Sequence, residues 1–236
     1  DRYDYLSAMN NNLGYSLAVE SLLGVEVPER AQYLRVIVAE LNRIASHLFA
    51  VGTYGLDLGA FTPLFTALRD REEVLELFEK ICGALLTYSY VRPGGVMNDA
   101  PEGWLASVAA FLDGFEKTWH EYWTLIAENK IFIERTANIG VLSAEQALAW
   151  GCSGPMLRGS GIDWDLRRDQ PYLIYDRLEF DVIQGVGYRG QVGDCFDRTF
   201  VRMFEMVESV RILRQCLEQI PDGEVLHEEV GAVIRP

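Results

Sequence analysis

The chain of 236 residues carries 21 basic and 35 acidic side chains, a formal net charge of −14, and 49% of its residues are hydrophobic. The acidic balance argues against nucleic acid as a partner and against direct adhesion to anionic lipid, because both require basic side chains. No apolar run approaches the roughly 18–20 residues that span a bilayer, and the N-terminus has no signal-peptide pattern. We expect one domain over residues 1–236 with a sizeable core.

The four cysteines are far apart and include no C-x-x-C pair; they are Cys82, Cys152, Cys195 and Cys216. This usage is typical of a reducing compartment, in which buried thiols stay free. The spacing does not match the ligand patterns of zinc sites or iron–sulfur clusters. We therefore expect the chain to bind no metal of its own.

Apolar residues at helical spacing predict the first helices of the chain. One covers residues 5–23 and is ended by Gly24, and a second covers residues 28–49 and dissolves at the glycines of residues 52–55. Thr62 and Pro63 predict the N-cap and first position of a third helix, which would run towards Tyr90.

The rest of the chain also favours helices. Arg92-Pro-Gly-Gly95 is expected to break the third helix, and residues 103–129 predict a long amphipathic one with an aromatic core face. A capping box opens a short helix at Ser143, residues 163–193 look irregular, and residues 194–220 form a last long helix. The predicted fold is mainly α, a bundle of long helices.

Several polar residues share helix faces. Glu40, Arg43 and His47 recur on one face of the second helix, and we expect His47 to be hydrogen-bonded there rather than catalytic. The arginines of the last helix lie among acidic residues and predict a salt-bridged face; they are Arg198, Arg202, Arg211 and Arg214.

Asp57 stands between leucines and is flanked by Gly55 and Gly59. A carboxylate in such apolar surroundings is costly to bury without a partner. Asp57 is therefore either a helix cap or a group held for proton transfer, and the local pattern leaves both readings open.

A set of short segments, in order along essentially the whole chain, resembles one known family. They include residues 2–6 (RYDYL), 40–47 (ELNRIASH), 91–96 (VRPGGV) and 193–198 (GDCFDR). The chain resembles the quinone-site subunit of respiratory complex I, known as the 49-kDa or D-type subunit, which is related to [NiFe]-hydrogenase large subunits. The resemblance implies a hydrogenase-like helical fold. It also implies a piece of a longer subunit, without the family's N-terminal β-hairpin and its C-terminal part.

The resemblance implies a function and its residues. The family belongs to the proton-translocating NADH:quinone oxidoreductase, in which Tyr5 would hydrogen-bond the quinone headgroup and Asp57 would couple protonation to the rest of the enzyme. Arg2 and Asp4 would lie near the headgroup and the terminal 4Fe-4S cluster. That cluster would be held by the small partner subunit, with a 30-kDa-type subunit as another neighbour. The peripheral arm would lie on the cytoplasmic side of the cell membrane, with membrane contact through partner subunits.

Thr87 departs from the family pattern, because many members carry a histidine at this position. A hydroxyl still donates a hydrogen bond, but it does not titrate near neutral pH. The resemblance then predicts a cluster potential that depends less on pH and is lower, which would suit a quinone such as menaquinone. Arg92, in the turn that the family places near the cluster, either tunes that cluster or caps the preceding helix.

Two alternatives compete with this interpretation. [NiFe]-hydrogenases carry R-x-C-G-x-C at the first stretch, whereas this chain has Asp4 and Ser7 at those cysteine positions. Hard oxygen ligands do not replace soft thiolates at a nickel site, which argues against a hydrogenase. The second alternative is a scaffold that has lost quinone chemistry; the presence of Tyr5 and Asp57 counts against it, and Thr87 counts for it.

Overall fold

The structure, a computed structural model, describes residues 3–228 and 230. Its long helices are α1 (Ala8–Leu23), α2 (Glu29–Asp57), α3 (Phe61–Cys82), α4 (Trp104–Tyr122) and α9 (Cys195–Gln219). The shorter elements are the antiparallel hairpin β1 (Val91–Arg92) and β2 (Gly95–Val96), α5 (Lys130–Thr136), α6 (Ala144–Ala149), α7 (Gly154–Gly159) and α8 (Leu166–Asp169). A π-helical turn, Trp123–Ala127, continues α4, and a 3₁₀ turn covers Tyr175–Arg177. The mainly α fold is confirmed for these residues.

Helix α2 forms the centre of the bundle. It contacts α1, α3, α9 and β2, and its side chains at Leu34, Ile37, Leu41 and Ile44 are fully buried. A helix that is buried around most of its circumference is stabilised by its neighbours rather than by intrinsic propensity. The position of every neighbouring element is therefore set relative to α2.

Two helix ends differ from the sequence prediction. Helix α2 does not stop at the glycines, because Gly52 and Gly55 allow close contact with α3: a Cβ at Gly52 would lie 2.9 Å from the Ala67 Cβ. Helix α3 begins at Phe61, so Thr62 and Pro63 lie within its first turn. It ends at Cys82, where Gly83 adopts a left-handed conformation (φ +77°), well before Tyr90.

A buried ion pair joins α1, α2 and the hairpin. Arg35 on α2 donates to both carboxylate oxygens of Glu20 on α1, at 3.0 and 2.5 Å. Its guanidinium also donates to the carbonyl oxygens of Gly95 and Arg92, and Glu20 accepts from the Gly94 amide at 2.7 Å. Since both charges are buried, these additional hydrogen bonds offset the cost of removing them from water.

A second buried cluster is centred on Glu40 of α2, which is fully buried. Its carboxylate accepts hydrogen bonds from Arg43 (3.1 Å), Arg167 (3.1 Å), the Tyr175 hydroxyl (2.6 Å) and the Ser209 hydroxyl (2.6 Å). Burial alone would raise the pKa of Glu40, but the two guanidinium charges and the hydroxyl donors hold that pKa well below its usual range. Glu40 therefore stays ionised and ties α8, the 3₁₀ turn and α9 to α2.

The cluster continues as a chain of ion pairs. Arg167 binds Asp165 (2.8 Å), Asp165 lies 3.4 Å from Arg158, and Arg158 binds Glu205 (2.6 Å). Nε2 of His47 lies 2.7 Å from the other Glu205 oxygen, so His47 occupies the hydrogen-bonded helix position expected from the sequence. Burial would raise the pKa of Glu205, but contact with His47 and the charge of Arg158 hold that pKa below its usual range.

Replacing Glu40→Ala leaves Arg43 and Arg167 buried without their shared carboxylate. We expect the free energy of unfolding, measured by urea denaturation, to fall by about 3–5 kcal/mol. Glu29→Ala is the matched control, because Glu29 also pairs with an arginine, Arg177, but in an exposed position. That control should cost less than about 1 kcal/mol, and an equal loss for both variants would contradict the role of Glu40.

The lowered pKa of Glu205 predicts a pH dependence of stability. A carboxyl whose folded pKa lies below its unfolded value of 4.5 contributes stability above that pH and loses it as the pH falls towards the folded pKa. We expect Glu205→Gln to be less stable than the unmodified chain at pH 7, by on the order of 1–3 kcal/mol, with the difference shrinking below pH ~4.5. Urea denaturation at several pH values measures this, and a difference independent of pH would refute it.

Candidate functional site

The segment before α1 forms a tight turn that presents Tyr5. The Asp4 carboxylate accepts a hydrogen bond from the Leu6 amide at 2.9 Å, and the Ser7 amide donates to the Asp4 carbonyl at 3.2 Å. Such side-chain-to-backbone turns are typical of aspartate and fix the chain locally. The Tyr5 side chain is 55% exposed, and its hydroxyl has no hydrogen-bond partner among the described residues.

The turn is anchored on α2 by Asn42, a residue that the sequence analysis did not single out. The Asn42 side chain donates to the Leu6 carbonyl (2.9 Å) and accepts from the Met9 amide (2.9 Å), and it also donates to the Tyr88 hydroxyl (3.1 Å). Ser7 bonds Ser46 one helical turn further along α2, at 3.2 Å. A polar amide among the buried apolar residues of α2 is the one signal that could have identified this anchor.

Asp57 is the last residue of α2 and is exposed. A residue at this end of a helix cannot accept hydrogen bonds from the free amides of an N-terminus, so the interpretation of Asp57 as a cap is wrong. Asp57 follows Ser46 by eleven residues, or three turns, which puts both on one face of α2 about 16 Å apart. The structure therefore places Tyr5 and Asp57 along the same helix but does not bring them together.

Each end of this face adjoins a cavity. Asp57 lines a cavity of about 380 Å³ between α2, α7 and the start of α9. Arg92 lines another, of about 350 Å³, against Tyr3 and Tyr15. The Arg92 guanidinium donates to the Ser89 hydroxyl at 2.8 Å. It does not cap the preceding helix, because α3 has already ended at Cys82.

The two remaining predicted site residues are less defined by contacts. Thr87 is exposed, in the loop between α3 and β1, with a left-handed backbone (φ +52°). Its place in a loop, rather than on a helix, follows from the early end of α3. Arg2 lies outside the described residues.

Residues 3–228 and 230 show neither a metal cluster nor a membrane span. No group of three or more His, Cys, Asp or Glu side chains there could hold a metal ion, and all four cysteines are free thiols. None of the helices in this part of the chain combines the length and apolar character needed to cross a bilayer.

Comparison with known proteins identifies the family. The sequence profile of the respiratory-chain NADH dehydrogenase 49 Kd subunit matches residues 57–236. The chain is 52% identical over 225 residues to the second of the NADH-quinone oxidoreductase D subunits of Anaeromyxobacter dehalogenans (strain 2CP-C), covering 95% of this chain and 59% of that protein. It is 51% identical over 236 residues to the NADH-quinone oxidoreductase D subunit of Clostridium beijerinckii, covering 100% of this chain and 62% of that protein.

A third relative, the NADH-quinone oxidoreductase D subunit of Chlorobaculum tepidum, is 50% identical over 222 residues, which cover 94% of this chain and 56% of that protein. The chain thus spans about three fifths of the length of these relatives. These matches confirm the family that the ordered short segments indicated. The chain belongs to the family of the 49-kDa subunit of respiratory-chain NADH dehydrogenase.

Proposed function

We propose that this chain forms part of the quinone-reduction site of a proton-translocating NADH:quinone oxidoreductase, next to a terminal 4Fe-4S cluster held by a partner subunit. The observation that carries the proposal is the exposed Tyr5 hydroxyl at a turn fixed by Asp4 and Asn42. A phenol held in this way keeps its donor free for a ligand instead of using it within the chain. Family membership makes a quinone carbonyl the ligand of choice.

Reduction of a quinone needs two electrons and two protons at the headgroup carbonyls. The partner's cluster would supply the electrons. Tyr5 would donate a hydrogen bond to one carbonyl and pass its proton on, provided that the phenol is protonated again. Because the Asn42 contacts fix the segment that follows Tyr5, the phenol would be positioned before the quinone binds.

Asp57 would couple headgroup protonation to the rest of the enzyme. Its carboxylate is exposed and forms no ion pair among the described residues, so it is available to a group from outside this part of the chain. Helix α2 fixes the separation between this carboxylate and the turn that carries Tyr5, about 16 Å along the helix axis from Ser46.

The cluster environment would include Arg2, Asp4, Thr87 and Arg92. The Arg92 guanidinium is held by Ser89 at the rim of a cavity beside α1, from where a positive charge would favour the reduced cluster. Thr87 is exposed in the neighbouring loop, and as a hydroxyl donor it would leave the cluster potential less dependent on pH than a histidine would. The low potential would suit menaquinone.

The partners would be the cluster-bearing small subunit and a 30-kDa-type subunit, on the cytoplasmic side of the cell membrane. Large apolar side chains are exposed on two helices, at Leu22 (88%) of α1 and at Phe61 (63%) and Phe65 (65%) of α3. Exposed apolar groups that recur on one helix are typical of surfaces covered in an assembly. The chain would share the fold of [NiFe]-hydrogenase large subunits.

A catalytically silent scaffold is the alternative function. A hydrogenase is disfavoured, because Asp4 and Ser7 stand where nickel ligands would be, and both are engaged in hydrogen bonds of the turn and of α2. The scaffold and the quinone site differ in whether the Tyr5 hydroxyl matters for turnover.

Tyr5→Phe in the assembled complex tests the proposal. We expect quinone reductase activity to fall by about 10²-fold or more, because the variant removes one proton donor, while electron transfer to an artificial acceptor that bypasses the quinone site is unchanged. Tyr15→Phe is the matched control, since Tyr15 is exposed to a similar extent (58%) on α1. Full quinone activity in Tyr5→Phe would favour the scaffold.

A further inference from the structure

The cavity beside Asp57, which we call the α9 pocket, contains two arginines from the first turns of α9. It has a volume of about 380 Å³ and is lined by Val51, Asp57, Met156, Arg198 and Arg202, among others. Arg198 and Arg202 are four residues apart, so their side chains lie on the same face of α9. Both guanidiniums therefore line a single cavity.

Neither arginine is neutralised within the described part of the chain. Arg198 donates to the backbone carbonyls of Gly193 and Gly140, each at 2.6 Å, and Arg202 donates to the Arg198 carbonyl at 2.7 Å. No carboxylate oxygen of the described residues lies within 4.0 Å of either guanidinium. The salt-bridged face predicted for α9 is thus present at Arg211, which binds Asp181, but not at these two positions.

The nearby carboxylates are already engaged elsewhere. Glu205 binds His47 and Arg158, while Asp194 and Asp197 accept hydrogen bonds from backbone amides. Burial lowers the pKa of Arg202, the charge of Glu205 opposes this, and the charges of Arg198 and Arg158 lower it further. The α9 pocket consequently carries an excess of positive charge in partly apolar surroundings, where an anion would be stabilised more than in water.

We propose that the α9 pocket receives a carboxylate from an acidic side chain of a partner subunit, bound between Arg198 and Arg202. Two guanidiniums on one helix face offer the parallel N–H groups that a carboxylate accepts. The proposal rests on the proposed function only in taking the chain to be one subunit of a larger assembly, and it does not depend on quinone chemistry.

The overall charge of the chain favours a tethered carboxylate over a free anion. With 35 acidic and 21 basic side chains, the chain repels small anions at long range and lowers their concentration near its surface. A carboxylate on a docked partner is held at the pocket by the rest of the interface, so it is not diluted in this way.

A zero-length cross-link in the assembled complex tests the proposal. Arg202→Lys places an amine in the α9 pocket, and a water-soluble carbodiimide joins an amine only to a carboxylate in direct contact with it. We expect mass spectrometry to find position 202 linked to an aspartate or glutamate of another subunit. The yield should exceed that of the Arg135→Lys control roughly tenfold, because a held pair has a high effective concentration.

Arg135 is the matched control because it is exposed and forms no ion pair among the described residues. Links from position 202 only to carboxylates of this chain, or a yield no higher than in the control, would overturn the proposal. A second measurement needs no variant: phenylglyoxal labelling of Arg202 in the unmodified complex, with and without inorganic phosphate. Labelling unaffected by phosphate supports an occupied pocket, whereas protection by phosphate would assign the pocket to a small free anion.

The two proposals fail separately. The cross-link reports on assembly and the Tyr5→Phe experiment reports on turnover, so loss of the cross-link leaves the quinone assignment standing. Failure of the unmodified chain to assemble with other subunits would instead refute the proposed function.

Discussion

The buried carboxylate of Glu40 is the interaction on which the rest of the structure depends. Three of its four donors are far away in sequence: Arg167, Tyr175 and Ser209 lie 127, 135 and 169 residues from it. Closing such long loops costs chain entropy, and a buried ion without its donors is unstable. The cluster therefore forms only when α2, the 3₁₀ turn and α9 are all in place, which selects one packing arrangement of the helices.

The central position of α2 converts this packing into a functional frame. Arg35 holds the hairpin near its start, Asn42 holds the turn that carries Tyr5, and Asp57 ends it. From Arg35 to Asp57 the helix spans about 33 Å. The separations between the candidate functional groups are set by a single rigid element rather than by loops, and rigid elements hold functional groups more accurately.

The helical periodicity was sufficient to predict most of the long helices, and the residues that matched the family were sufficient to predict the family itself. What could not be predicted depends on contacts between distant elements. Gly52 and Gly55 indicate a helix end unless the close approach of α3 is known. In the same way, Asn42 becomes recognisable as the anchor of the Tyr5 turn only after α1 is packed against α2. Spacing alone also could not separate Arg202 from Arg211, since pairing depends on which carboxylates the fold leaves free.

The close contact between α2 and α3 has a consequence for motion. A Cβ at Gly52 would lie 2.9 Å from the Ala67 Cβ, and one at Gly55 would lie 3.2 Å from the Pro63 Cβ. Helices packed at this distance leave no space to slide or rotate against each other, since interiors at crystal-like density resist deformation. Displacement of Asp57 during a catalytic cycle would therefore carry the start of α3 with it, so the exposed Phe61 and Phe65 would transmit such a movement to whatever covers them.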